Sequence, residues 1–84
     1  MQQVVPLELL GAGERGRVLE VDGQRDMVVR LQEMGLRKGV MVCMVRSGQP
    51  CIVAFDNHRL SFRGDGRASV LVEVSENAAK SAWV

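Results

Sequence analysis

The stretch from Met27 to Val40 constrains this chain most, because it reads as one short amphipathic helix stopped by a glycine and followed at once by a strand. Met27, Val28, Leu31 and Met34 recur at the i, i+3, i+4, i+7 spacing that collects side chains on one helical face. Gln24, Asp26, Arg30 and Glu33 fall largely on the other side, with Asp26 and Arg30 spaced to pair across one turn. Gly35 can adopt the left-handed conformation that ends a helix, and Leu36 can then fold back onto Leu31 as in a Schellman cap. Gly39 opens the strand that follows.

The rest of the chain is written in strand language. Val4 to Leu10 is an apolar lead-in to a turn at Gly11 to Gly13, and Gly16 to Val21 reads as a first strand closed by Asp22-Gly23. Val40 to Arg46 is apolar at almost every position, which predicts a strand covered on both faces. Ser47 to Pro50 is turn chemistry. Cys51 to Phe55 and Arg59 to Arg63 flank Asp56-Asn57-His58 as a hairpin whose Asn tolerates positive φ. Gly64 to Gly66 makes another tight turn, and Val70 to Val74 is the closing strand. The expected fold is mainly β, a small SH3-like, partly open barrel of about five strands with one inserted α-helix. Residues 1–74 form that domain, and residues 75–84, with the lone Trp83, are expected to be a mobile tail.

At 84 residues there is room for one core, and a chain of this size buries only roughly 60–65% of its unfolded surface. A formal charge of +1 gives no electrostatic reason to expect nucleic acid. No apolar run is long enough to span a bilayer and no leader pattern opens the chain, so the expected location is cytoplasmic, without direct membrane insertion. Two cysteines without framework spacing are expected to be reduced thiols.

Nothing in the chain spells out an active site, so the expectation is a non-enzyme without a cofactor. Cys43, Cys51 and His58 are the only soft or imidazole metal-ligand candidates, and they have no CxxC or HxxxH partner. Both thiols read as small core hydrophobes and His58 as a solvent-exposed turn residue. Met27, Met34, Met41 and Met44 read as core filler. The glycine cluster at Gly11 to Gly16 lacks the strand before it and the Lys-Ser/Thr after it that a phosphate loop needs. With no Tyr and a single Trp in the tail, an aromatic shelf for polyproline is absent.

Charge is uneven. From Arg37 to Arg67 six basic residues (Arg37, Lys38, Arg46, Arg59, Arg63, Arg67) face only Asp56 and Asp65. That segment is either a solvated strand face or a weakly positive surface for an acidic protein partner.

The chain resembles the ferrous-iron transport protein A family, FeoA, from about Val5 to Val74. The match is carried by Leu9, Gly13, Gly16-Arg17-Val18, Arg30-Leu31, Met34-Gly35-Leu36, Gly39-Val40, Pro50, Arg59 to Arg63, Ala68 and the Val70 to Val74 strand. The resemblance implies an SH3-like barrel that assists FeoB, a membrane transporter with a GTPase domain, in ferrous-iron uptake through protein contact. One His and scattered acids make the chain a poor iron ligand set. The expected contact surface is the helix end and the connector after it: Arg30, Met34, Leu36, Arg37 and Lys38. Leu36 would be an apolar centre ringed by charge, unless the core consumes it. The face carrying Arg59 and Arg63 is the alternative surface, and a weak homo-oligomer stays open. The competing reading is a stand-alone metal-sensing or metal-carrying domain using Cys43, Cys51 and His58. That reading follows from the family's similarity to the C-terminal domain of iron-dependent repressors.

Overall fold

Among the described residues six antiparallel strands make one sheet in the order β1-β6-β2-β3-β4-β5. In the computed structural model, which describes residues 3–75, these are β1 (Val4–Pro6), β2 (Arg15–Gly23), β3 (Met41–Arg46), β4 (Cys51–Phe55), β5 (His58–Phe62) and β6 (Ala68–Val74). A single 3-10 turn at Leu7–Leu9 follows β1, and α1 (Arg25–Glu33) connects β2 to β3. Of the expected tail, Ser75 is described and its N–H donates to the Arg15 carbonyl at 3.0 Å, while residues 76–84, with Trp83, lie outside the described residues.

The sheet curls because β2 carries a bulge between Val18 and Glu20, an extra residue that bends the strand. β2 can thereby pair with β3 through Arg15 to Arg17 and with β6 over most of its length. A second irregularity lies between Met44 and Arg46 on the β3–β4 ladder. Inside the curl Leu7, Leu10, Val18, Leu36, Val42, Met44, Val53, Val70 and Val72 are buried, with Leu31, Phe55 and Phe62 nearly so. β4 and β6 alternate buried positions with half-buried or exposed ones, as strands with one core face do.

Two expectations about strands need correction. The lead-in is a strand in its own right: β1 pairs with β6 (Val5 opposite Val72), and Leu7 and Leu10 seal that end of the core. β3 is covered on one face only. Val42 and Met44 are buried, but Met41 and Val45 are 37% and 39% exposed, because α1 makes its main sheet contact with β2 rather than with β3. Of the four methionines expected in the core, Met44 is fully buried and Met27 half-buried, while Met34 and Met41 are exposed.

The helix ends as its sequence dictates. Gly35 has φ +107°, its N–H donates to the Gln32 carbonyl at 3.0 Å, and the Leu36 N–H donates to the Leu31 carbonyl at 3.0 Å. These two bonds define a Schellman cap. At its other end, the Gln24 N–H donates to the Arg67 carbonyl at 2.9 Å, and Gly23 lies so close that a Cβ there would sit 2.5 Å from the same oxygen. Asp26 and Arg30 do not pair. Among the described residues the one ion pair is Arg67–Asp65 at 3.3 Å. An exposed helical pair gains too little to hold two long side chains in one geometry, and Arg30 instead borders the groove described next.

Candidate partner-binding groove

The side chains of α1 that do not reach the core border a groove whose other wall is β5. Leu31, at the centre of the apolar face, is buried, so the helix lies down on the barrel. Met27 and Met34, one turn to either side, then stand at the helix margin and meet Leu60 and Phe62 of β5 across a cleft of about 220 Å³. The segment after β5 closes this cleft with Arg63, Asp65, Arg67 and Ala68. Met34 and Leu60 also line a second cleft further along, with Glu33, Phe55, His58 and Arg59. The two clefts share an apolar floor and make one groove.

Its electrostatics are positive at the first cleft. Among the described residues, Arg30, Arg63 and Arg67 border it against a single carboxylate, Asp65. That carboxylate is already engaged: it accepts the Arg67 N–H at 3.1 Å and the Arg67 Nε–H at 3.3 Å. The backbone N–H of Arg67, followed by its nearby positive charge, holds the Asp65 carboxyl below the usual carboxylate range.

The expected contact residues separate into three environments. Arg30 and Met34 border the groove, with Met34 39% exposed. Arg37 and Lys38 lie on the outer flank of α1, in a shallow depression with Val29, Gln32 and Glu33. The Arg37 Nε–H donates to the Gln32 carbonyl at 2.9 Å, so part of that guanidinium serves the helix end. Leu36 is 0% exposed. Leu36 therefore cannot be the apolar centre of a contact surface, because the Schellman cap turns it into the core; exposed Met34 is the apolar group available there. The alternative face with Arg59 and Arg63 proves to be the opposite wall of the same groove. Sequence reasoning overlooked Leu60, whose half-buried position on β5 shows only once the strand's inner face is known.

The metal-ligand candidates stay apart. Cys51 and His58 stand at opposite ends of the β4–β5 hairpin, opposite Phe62 and Phe55 respectively, and Cys43 is one strand further in, opposite Ala54. Among the described residues no three His, Cys, Asp or Glu side chains converge to hold a metal ion. Burial pushes the Cys51 thiol up from its ordinary value, with the nearby charge of Glu8 adding to the effect. A protonated, buried thiol that donates to the Phe62 carbonyl at 3.4 Å is a core group. Cys43 is only half-buried, unlike the core thiol expected there. His58 is exposed and stacks edge-on against Phe55, with ring centroids 6.2 Å apart.

Comparison with known proteins decides the family. The FeoA domain model matches residues 5–74, from the β1 strand to the last residue of β6. The chain belongs to the FeoA domain family. It is similar to a crystal structure of an iron uptake regulatory protein (FeoA), with 28% identity over 87% of this chain and 100% of that one, at a TM-score of 0.76. FeoA from Chlorobium tepidum is 26% identical over 83% of this chain and 70% of its own, with a TM-score of 0.75. FeoA from Stenotrophomonas maltophilia, solved with zinc, is 26% identical over 89% of this chain and 93% of its own, at a TM-score of 0.71. That protein is described as a procaryotic SH3 domain protein and a candidate bacterial ferrous iron transport activating factor. No curated protein sequence matches the chain. The FeoA fold thus corresponds to the mainly β, SH3-like architecture expected from the strand pattern. Among the described residues no helix is long and apolar enough to cross a membrane.

Proposed function

We propose that this FeoA-family chain is a cytoplasmic accessory protein of ferrous-iron uptake, acting by contact with the cytosolic region of a FeoB-type GTPase transporter and without chemistry of its own. The observation that carries the reading is the α1–β5 groove, where exposed Met34 and half-buried Leu60 form an apolar floor under Arg30, Arg63 and Arg67. An apolar centre with a charged rim is how small protein interfaces are built. The family's link to ferrous-iron transport supplies the setting.

The test is capture of the full chain by the purified, immobilised cytosolic region of FeoB at low and moderate salt. Binding is expected, with an association rate that falls as salt rises. An Arg30→Glu, Arg63→Glu double variant that keeps the parent's melting temperature should associate more slowly. Absence of capture by the parent chain rejects the reading.

A further inference from the structure

Among the described residues β5 is a free edge of the sheet. It pairs with β4 and, among the described residues, with no second strand. The opposite edge, β1, is blunted: it has three residues and ends on Pro6, which has no N–H to donate. β5 has five residues and no proline.

The orientation of its backbone follows from the turn. Asp56 and Asn57 have φ of 46° and 64°, as a two-residue type I′ turn requires, and this makes Phe55 and His58 a hydrogen-bonded pair. Bonding alternates along an antiparallel ladder, so Leu60 and Phe62 also bond to β4. The N–H and C=O of Arg59 and Ser61 therefore point away from β4, along the open edge. Both residues are exposed, and atoms of both border the groove.

We infer that an extended acidic segment of the partner protein adds as a strand to the β5 edge. Its backbone bonds to Arg59 and Ser61, an apolar side chain covers Met34 and Leu60, and its carboxylates face Arg30 and Arg63. The inference rests on the reading of this groove as the partner face and specifies what lies in it. Strand addition draws affinity from main-chain hydrogen bonds and specificity from alternate side chains, and the groove supplies both sets of contacts. Charge complementarity selects the occupant, since among the described residues three arginines border the first cleft and its one carboxylate is held by Arg67. A second copy of this chain is the wrong occupant. Two β5 edges laid side by side would bring the Arg59 side chains and both arginine rims together, and like charges across a strand pair are destabilising.

The probe is a capped heptapeptide alternating aspartate or glutamate with valine or leucine, titrated into the nitrogen-15-labelled full chain. Saturable shifts and slowed amide exchange are expected at Arg59 and Ser61. Two further forms of the peptide carry N-methyl groups on alternate residues, each form blocking one of its two edges. One form should lose affinity by about tenfold or more while the other binds as the parent peptide does. Ser61→Pro, which removes an outward N–H at a position where an edge strand accepts proline, should abolish binding at an unchanged melting temperature. The proposal is overturned if the peptide does not bind, if both methylated forms behave alike, or if protection is confined to Arg37 and Lys38. Concentration-dependent dimerisation that Ser61→Pro removes would also overturn it, in favour of a second copy. Capture by FeoB is scored separately. Peptide binding without FeoB capture upholds the strand site and removes the proposed partner, whereas FeoB capture without protection of Arg59 and Ser61 does the reverse.

Discussion

The N–H of Leu36 donates to the carbonyl of Leu31 at 3.0 Å, and both side chains enter the same core, 0% and 3% exposed. The bond that ends the helix also anchors it to the barrel. Leu31→Ala removes the central contact of α1 and should cost about 2–5 kcal/mol. For a domain of this size that lowers Tm by roughly 10 °C or more. A thermal melt superimposable on the parent would mean that α1 does not pack on the sheet.

Gly35 is the hinge of that cap. Its φ of +107° is a conformation that a β-branched side chain resists, and a Cβ there would also lie 3.4 Å from Phe55 Cε2. Gly35→Val should cost about 1–3 kcal/mol, and Gly35→Asn distinctly less. Urea midpoints for the two variants check the order; equal values would remove the left-handed requirement.

The two cysteines should react differently. Cys43 is half-buried and Cys51 fully buried with its thiol held up by desolvation, so a thiol reagent should label Cys43 in the native protein and Cys51 only on unfolding. The sign of the pH effect follows. The Cys51 proton is bound more tightly folded than unfolded, so its contribution to stability is complete below the unfolded thiol's ordinary range and is lost as pH rises through the folded one. Denaturation midpoints taken upward from neutral pH should fall faster in the parent than in Cys51→Ala. Equal labelling rates for both thiols would contradict the placement of Cys51.

Much of this architecture is readable from local chemistry. The helix with its glycine stop, and the hairpin turning at Asp56 and Asn57, need only residues a few positions apart. β1 escapes such reading because Val4 to Pro6 is short, lacks alternation and ends in proline; it is a strand only because Val70 to Val74 lies beside it. β3 misleads for a different reason. Met41 and Val45 continue an apolar run, yet one face of that run meets solvent, which pattern alone does not reveal. The groove is the least legible feature, since Met34 and Leu60 lie far apart in the chain and meet only through the tertiary packing of α1 beside β5. The surplus of arginine was visible; its arrangement on two facing walls was not.

Arg37 and Lys38, on the outer flank of α1, provide a contrast with the groove arginines. Arg37→Glu with Lys38→Glu should slow association with the FeoB cytosolic region through long-range charge, by about threefold to tenfold at low salt and little at moderate salt. Arg30→Glu with Arg63→Glu should in addition speed dissociation, because those residues border the apolar floor that a bound partner would cover. Binding kinetics at two salt concentrations separate the two effects. Unchanged association for a folded Arg37, Lys38 variant would remove the outer flank from the encounter surface.

The contact of Gly23 and Gln24 with the Arg67 carbonyl has a mechanical meaning. It fastens the first turn of α1 to the segment that leads from β5 into β6, while Leu36, buried in the core, anchors the helix at its far end. The helix wall of the slot is thus held by its backbone at one end and by the buried Leu36 at the other. A ligand entering such a slot spends little free energy on reshaping the protein, so a short segment with few contacts can bind measurably.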